Sequence, residues 1–156
     1  MAYRRDMHHY RDATEDDLPA IVALLADDPL GAMREDATLP LAPSYSAAFA
    51  AIAASPHQRL IVAVDGRSVV GTLQLLLIPA ISRRGSWRGQ IEAVRIASTL
   101  RGKGHGEAFL RWAIEQCRSA GCVSVQLTSD RSRSDAHRFW RRMGFDATHI
   151  GFRRDF

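Results

Sequence analysis

A short run of glycines and basic residues is the part of this sequence best suited to binding a ligand. Residues 101–106 read Arg-Gly-Lys-Gly-His-Gly and lie between a predicted strand and a predicted helix. Glycine lets the backbone turn tightly and approach a ligand closely, and the first turn of a helix offers N–H groups that have no partner within the helix. The pattern predicts a loop that holds a phosphate or pyrophosphate through its main chain, with a plain tight turn as the alternative.

Two widespread phosphate-binding patterns do not fit this run. The dinucleotide-binding pattern needs a third glycine three residues after its second one, and after Gly104 and Gly106 that position is occupied by Phe109. The P-loop of nucleotide-binding proteins ends in Gly-Lys-Ser or Gly-Lys-Thr, which this run lacks. The sequence therefore excludes both patterns.

Two further stretches have the spacing of a known family. Residues 91–96 read Ile-Glu-Ala-Val-Arg-Ile, and residues 135–145 read Asp-Ala-His-Arg-Phe-Trp-Arg-Arg-Met-Gly-Phe. With the Arg-x-x-Gly-x-Gly spacing of Arg101, Gly104 and Gly106, they resemble the fourth strand, the pyrophosphate motif and the last helix of the GNAT superfamily of acyl-CoA-dependent N-acyltransferases. The element order resembles that family over residues 10–152, although the specific motifs cover only residues 90–145.

The resemblance implies how acetyl-CoA is held. It implies a splay between the fourth and fifth strands that takes the pantetheine arm, bonded by main-chain groups in the manner of an added strand, and a pyrophosphate bound by the N–H groups of the glycine run. The side chains of Arg101 and Lys103 either add charge or face solvent, and His105 occupies a variable position of the motif. The implied cofactor-binding residues are Val94, Arg95, Ile96, Arg101, Gly102, Lys103, Gly104, His105, Gly106 and Trp140.

The implied reaction is acetyl transfer to a primary amine, by direct attack in a ternary complex. The amine, with a pKa near ~10 if it resembles lysine, must first lose a proton. Glu92, a carboxylate at the expected splay, is the candidate base, acting directly or through a water. The alternative is that Glu92 only orients the substrate cation or bonds the backbone. A main-chain N–H near Ile96 is expected to stabilise the carbonyl oxygen as it gains charge.

The leaving thiolate is where the sequence departs from the family. Many members have a tyrosine at the position of Trp140 to protonate the thiolate, whereas the tyrosines here are Tyr3, Tyr10 and Tyr45, all in the first third of the chain. Indole donates a hydrogen bond but does not act as an acid. One interpretation is that no side-chain acid is used, since thiols have a pKa near ~8.5. The other is that His137 protonates the thiolate, with a plain exposed histidine as the alternative interpretation of that residue. Trp140 itself is expected to pack near the pantetheine.

The elements that must position these residues follow from apolar spacing and turn signals. We predict an α+β fold with a mixed, mostly antiparallel twisted sheet and about four flanking helices, in the order β-α-α-β-β-β-α-β-α-β. The four predicted helices begin after Thr14, after Pro43, at the glycine run and at Ser134, and the connection over 79–89 is expected to be exposed. The predicted strands span residues 10–13, 59–64, 68–78, 90–97, 123–128 and 145–152.

Length and composition favour one domain over residues 1–156. With 46% hydrophobic and 24% charged residues, a chain of this length buries a core without disulfides. Cys117 and Cys122 form no disulfide framework and are expected to be core residues of a cytoplasmic protein. No stretch has the ~20 apolar residues of a membrane helix, the N-terminus lacks the apolar stretch of a secretion signal, and no metal site is expected.

The net charge of +4 is unevenly distributed. Residues 1–82 carry 6 basic and 10 acidic side chains, whereas residues 83–156 carry 15 basic and 7 acidic side chains. An anionic ligand is therefore expected to bind to the second half of the chain. A nucleic-acid partner is disfavoured, because no basic helix, zinc-finger spacing or aromatic ribonucleoprotein motif accompanies the charge. The main alternative to an acetyltransferase is a catalytically silent module that binds or senses acyl-CoA. The acceptor amine and the oligomeric state stay open, although homodimers are common in the family.

Overall fold

The computed structural model describes residues 8–156, which contain five strands, six α-helices and two short 3-10 helices. The strands are β1 (His9–Asp12), β2 (Gln58–Asp65), β3 (Ser68–Pro79), β4 (Trp87–Ile96) and β5 (Cys122–Gln126). The helices are α1 (Leu18–Ala26), α2 (Gly31–Arg34), α3 (Pro43–Ala54), the single turn α4 (Ser82–Gly85), α5 (His105–Ser119) and α6 (Ser134–Arg142). Tyr3 and the segment in which no secretion signal is expected lie outside the described residues.

The strands form one mixed sheet in the order β1-β2-β3-β4-β5. The first three pairings are antiparallel and the β4–β5 pairing is parallel, which confirms the predicted α+β fold with a mostly antiparallel sheet. The β4–β5 pairing ends at Gln90 and Gln126, while β4 continues along β3 as far as Ile96. The two strands therefore diverge, and the predicted splay lies between them.

Helix α5 covers one face of the sheet. Its apolar spacing places Phe109, Leu110, Ala113 and Cys117 on one side, where they are fully buried with the strand residues Ile61, Ala63, Leu73, Leu75 and Ile91. Gly89 of β4 allows this contact, because a Cβ atom there would lie 2.3 Å from the Sγ atom of Cys117. Burial raises the pKa of the Cys117 thiol to about 11, and this cysteine is a core residue, as predicted.

Helices α1 and α3 cover part of the opposite face. Leu18, Ile21 and Val62 form a second buried cluster there, with Leu60 packed against it. Gln74 of β3 lies opposite Leu60, and the β4 residue opposite Gln74 is Glu92. The face that carries α1 and α3 therefore also carries polar side chains at its β3–β4 end.

A β-bulge interrupts the β3–β4 register directly after Glu92. The pairing of Glu92 with Gln74 is followed by that of Arg95 with Thr72, so that β4 has one residue more than β3 at this point. Ala93 has a φ of 52°, a left-handed conformation that costs an alanine roughly 1–2 kcal/mol. Because of the bulge, Glu92 and Arg95 lie on the same face of β4 although three positions separate them.

The predicted last strand over residues 145–152 is wrong. The structure has no strand in this segment, and Ile150 and Phe152 are 76% and 95% exposed. A strand is stabilised by side-chain packing on a covered face. The neighbouring edge strand β5 offers no such cover, since its own Val123 is 68% exposed.

Other predicted boundaries shift for local reasons. The connection over 79–89 is shorter than predicted, because β4 begins at Trp87 and Gly89 is a strand residue that faces α5. The loop expected between α1 and α3 contains α2. The described residues therefore form six α-helices instead of about four, since α2 and α4 are single turns that apolar spacing does not reveal.

Asp17 links β1 to the start of α1. Its carboxylate accepts hydrogen bonds of 2.7 and 3.0 Å from the Arg11 guanidinium and one of 2.7 Å from the N–H of Thr14. The bonds from Arg11 are the main reason why the pKa of Asp17 is lowered to about 2. The carboxylate is nearly buried, with only 10% of the side chain exposed.

Asp17→Asn should therefore lower the free energy of unfolding by about 2 kcal/mol at neutral pH. A carboxyl with a depressed folded-state pKa stabilises the fold above its unfolded pKa of 3.8, and this contribution is lost as the pH falls to about 2. Urea unfolding at neutral pH and at about pH 2 measures the difference, with Asp16→Asn in the same turn as the control. An equal deficit at both pH values would show that the Asp17 charge is not what stabilises this junction.

Candidate active site

The end of β4 presents main-chain groups to the splay. The N–H of Ala97 donates to Val70 O at 2.8 Å, and hydrogen bonds in an antiparallel pair engage alternate residues. The main chain of Arg95 therefore faces β3, whereas the N–H and C=O groups of Val94 and Ile96 face the side from which β5 has departed. Of the three predicted cofactor-binding positions on β4, this geometry leaves Val94 and Ile96 for main-chain bonds to a ligand.

Two arginine side chains lie along this open edge. The Arg95 guanidinium donates to Val94 O at 2.9 Å, and that of Arg101 donates to Ile96 O at 3.1 Å. Arg101 also donates to the main-chain oxygen and the carboxylate of Asp27, at 2.9 and 3.2 Å. The first residue of the glycine motif thus ties the loop after α1 to the end of β4.

The glycine run makes the turn from β4 into α5. Gly102 and Gly104 have φ values of 73° and 87°, which glycine adopts without steric strain. Apart from the chain neighbours, no heavy atom of residues 8–156 lies within 4 Å of a Cβ built on either residue, so the space beside the run is open. A Cβ on Gly106 would lie 3.6 Å from the side chain of Ile96, which places the first turn of α5 against the end of β4.

The side chains of the run contact the protein itself. The Lys103 ammonium donates to Thr99 O at 2.8 Å, and the ring of His105 is hydrogen-bonded to the ring of His8 at 2.7 Å. These contacts hold the loop in place. The groups that remain for an anion are the main-chain N–H groups, the positive end of the α5 dipole and the other N–H donors of the Lys103 ammonium.

Glu92 lies on the face of β4 opposite α5, two residues beyond the last β4–β5 pair. Its Oε1 accepts a hydrogen bond from Gln90 Nε2, and Gln90 Oε1 accepts one of 2.7 Å from Gln126 Nε2. Among the described residues, no cationic side chain forms a salt bridge with Glu92. The carboxylate is therefore available to a cationic amine.

Asp28 joins three segments around the splay. Its carboxylate accepts two hydrogen bonds of 3.1 Å from Arg133 and one of 2.6 Å from the N–H of Gly31, and it lies 3.2 Å from Arg95 Nε. Burial by itself raises the pKa of Asp28, but these donors and charges lower it overall, while burial lowers the pKa of Arg95. The cluster holds the loop after α1 against the end of β4 and the loop after β5.

Helix α6 places His137 and Trp140 in different surroundings. Nε2 of His137 lies 2.8 Å from Asp130 O, so this ring braces the turn before α6. Trp140 packs against Phe139 and Phe145, with ring centroids 5.0 and 6.0 Å away. Its Nε1 is buried and has no hydrogen-bond partner in the described part of the chain. An unpaired buried donor costs about 1–3 kcal/mol, a cost that a ligand acceptor would remove.

From the sequence, Asp28 is one of several acidic residues that could attract a cationic substrate, with a solvated acidic loop as the alternative, and its contacts are not predicted. Sequence reasoning missed Gln90 and Gln126 as members of the candidate site. Arg133, which donates to Asp28, and Gln126, which donates to Gln90, lie 105 and 36 residues away from these acceptors along the chain, so no local motif marks the contacts. One usable signal was present, because strand alternation puts Gln90 on the same face as Glu92.

Comparison with known proteins identifies the family. The sequence profile of the acetyltransferase (GNAT) family matches residues 8–145. The chain belongs to the GNAT family. This confirms the resemblance inferred from Arg101, Gly104 and Gly106, and makes the protein an acetyl-CoA-dependent acyltransferase.

Individual relatives agree with this GNAT assignment. The chain is 28% identical over 142 residues to the aminoalkylphosphonate N-acetyltransferase of Salmonella typhimurium, covering 91% of this chain and 87% of the relative. It is 33% identical over 87 residues to the glucosamine 6-phosphate N-acetyltransferase of Trypanosoma brucei brucei, covering 56% and 57%. Among crystal structures, a transcriptional regulator from Bacillus halodurans C-125 is 44% identical with a TM-score of 0.92, covering 96% of this chain and 99% of that one.

The GNAT family uses acetyl-CoA as its co-substrate, and the residues of this chain fit that molecule. The open edge at Val94 and Ile96 suits an amide-containing arm. The space beside Gly102 and Gly104 suits a pyrophosphate. The indole N–H of Trp140 has no hydrogen-bond partner among the described residues and is available as a donor. In residues 8–156 no group of His, Cys, Asp or Glu side chains could hold a metal ion. Nor does any helix there have the length and apolarity to cross a membrane.

Gly104→Val should abolish acetyl-CoA binding while the protein stays folded. Valine is strained at a φ of 87° and its methyl groups would fill the open space beside the run. Losing two charge-assisted hydrogen bonds, at ~1.5–3 kcal/mol each, weakens binding by about a hundredfold or more. Calorimetric titration of acetyl-CoA measures the loss, and circular dichroism checks the fold.

The matched control for this variant is Gly66→Val. Gly66 also has a positive φ, 58°, and open space around its Cβ position, but it lies between β2 and β3. Replacing Gly66 by valine should lower the free energy of unfolding without changing the affinity for acetyl-CoA. A folded Gly104→Val protein that binds acetyl-CoA within about threefold of the original would remove the glycine run from the binding site.

Proposed function

We propose that this GNAT protein transfers the acetyl group of acetyl-CoA to a primary amine of a small molecule or to an exposed peptide amine, by direct attack in a ternary complex. The observation that carries the proposal is the position of Glu92 beside the open edge of β4, without a cationic partner among the described residues. An ammonium group with a pKa near ~10 needs such a base to become a nucleophile.

The end of β4 has two tasks in this reaction. When bound, acetyl-CoA supplies the thioester whose acetyl group is transferred, and the main-chain groups of Val94 and the C=O of Ile96 bond its pantetheine arm as an added strand would. Arg95 and Arg101 need not leave, because a carbonyl oxygen has a second lone pair. The N–H of Ile96 stabilises the acetyl carbonyl oxygen as it gains negative charge.

Acetyl transfer requires an ammonium group to lose two protons and the thiolate to leave. Glu92 takes the first proton, directly or through one water, and the neutral amine nitrogen then bonds to the acetyl carbon. The carbon–sulfur bond breaks, and the second N–H proton passes to the thiolate or to water. The thiolate leaves without needing a strong acid, since thiols have a pKa near ~8.5. His137 as its proton donor stays a prediction, with Nδ1 as the nitrogen concerned, because Nε2 is bonded to Asp130 O. Trp140 packs against the arm and donates from its indole N–H.

We further propose that the acceptor carries an anionic group near its amine. Two relatives are named for such amines, one for aminoalkylphosphonates and one for glucosamine 6-phosphate. In this chain Arg95 and Arg133 share one carboxylate, that of Asp28, so this three-residue cluster carries one positive charge on the face that carries the Glu92 carboxylate. A thiol-release panel should therefore compare aminoalkylphosphonates and amino-sugar phosphates with polyamines, aminoglycosides, amino acids and peptides.

Glu92→Gln should lower kcat by a factor of about 100, with the affinity for acetyl-CoA unchanged. The carboxylate acts on the amine and not on the thioester, so calorimetric titration of acetyl-CoA should give the same dissociation constant for both proteins. The deficit in thiol release should shrink as the pH rises toward ~10, because more of the amine is then already neutral.

Two other outcomes lead to different conclusions. A deficit that does not depend on pH, or the absence of a deficit, would leave Glu92 with a structural role only. Acetyl-CoA binding without thiol release for any amine of the panel would favour a catalytically silent acyl-CoA-binding module.

A further inference from the structure

Three polar side chains form a hydrogen-bonded row where β4 and β5 separate. The glutamine row consists of Gln126, Gln90 and Glu92. Gln126 Nε2 donates to Gln90 Oε1 at 2.7 Å, and Gln90 Nε2 donates to Glu92 Oε1. The row thus runs from the end of β5 to the carboxylate at the splay.

The strand register explains where the row lies. Gln90 and Gln126 are the last residues that pair between β4 and β5, so their side chains bridge the two strands at the point of separation. Side chains two residues apart share a face of a strand, which places Glu92 beside Gln90. The bulge at Ala93 follows immediately, and Glu92 is therefore the last position before β4 changes register.

Both amides donate in the same direction, toward the carboxylate. Gln126 restrains Gln90, and Gln90 in turn restrains Glu92. This matters because a glutamate side chain has several staggered rotamers of similar energy and does not hold one position unaided. With Oε1 bonded to Gln90, Oε2 of Glu92 has no hydrogen-bond partner among the described residues and is the oxygen left for a substrate.

We propose that Gln90 is a positioning residue for acetyl transfer: it holds Oε1 of Glu92, with Gln126 behind it, so that Oε2 meets the amine. Gln90 has this role only if Glu92 is the base, as proposed above. Small displacements of a reacting group lower rates steeply, so loss of the Gln90 bond should slow the chemical step and leave the binding of acetyl-CoA unaffected.

Gln74 provides a matched control on the same face of the sheet. It is the β3 partner of Glu92 in the register and is half-buried like Gln90. Its amide, however, donates to Gln58 at 2.9 Å and not to the glutamine row. Gln74→Met therefore removes an amide next to Glu92 without breaking a bond of the row.

The first test is kinetic and uses the amine of the panel that gives the fastest thiol release. Gln90→Met keeps the length of the side chain but loses the amide, and should lower kcat about tenfold or more, the effect of one charge-assisted hydrogen bond. The KM for acetyl-CoA should stay within about twofold, and Gln126→Met should give a smaller loss. Gln74→Met should leave kcat unchanged. The double variant Glu92→Gln/Gln90→Met should be no slower than Glu92→Gln, because both act through one carboxylate.

The second test does not depend on activity. In 15N-labelled protein, the side-chain amide signals of Gln90 should shift when Glu92 is replaced by alanine, and those of Gln74 should stay in place. Unchanged Gln90 signals would show that the bond to Glu92 does not form in solution, which overturns the proposal.

The kinetic outcomes separate the two proposals. If Glu92→Gln lowers kcat but Gln90→Met does not, Glu92 is a base that needs no positioning by Gln90, and only the present inference fails. If Gln74→Met lowers kcat as much as Gln90→Met does, the effect is a general one of this sheet face, and the proposed role of Gln90 is overturned. If Glu92→Gln has no effect, the proposed function and the role of Gln90 fail together.

Discussion

The early end of the β4–β5 pairing is the constraint on which the rest of the site depends. β4 stays paired to β3 as far as Ile96, but its parallel partner stops at Gln126. The N–H and C=O groups of Val94 and Ile96 consequently lack a strand partner, and main-chain polar groups in such a position need other hydrogen bonds. Arginine side chains supply them for the two carbonyls. An extended ligand with amide groups can supply the rest, as a missing strand would.

Charge pairing connects the two halves of the candidate site. Asp27 is bonded to Arg101 at the start of the glycine run, and the next residue, Asp28, is bonded to Arg133 and lies beside Arg95. One loop after α1 is thereby held against both the glycine run and the proposed acceptor region. The side chains of Asp28, Arg95 and Arg133 are only 12%, 19% and 27% exposed, so removing the Asp28 carboxylate would leave two partly shielded guanidinium groups without it.

Much of the fold could be predicted, because it depends on local spacing. The apolar positions around Phe109 defined α5, and the motif of Arg101, Gly104 and Gly106 located the turn into it and, through the family resemblance, the splay. The remaining features depend on residues distant in sequence. The bonds of Asp28 and the glutamine row join segments that no local pattern relates, and the segment ending at Phe152 fails to form a strand because no sheet surface covers it.

Amide hydrogen exchange with and without acetyl-CoA tests the central claim most directly. Binding in the splay predicts that saturating acetyl-CoA slows exchange at the amides of Val94 and Ile96 and of residues 102–106, since these gain acceptors. The amide of Arg95, already directed toward β3, should be protected in both states, and those of β1 and β2 should not change. Protection elsewhere, with no change at Val94, Ile96 and the glycine run, would contradict acetyl-CoA binding between β4 and β5.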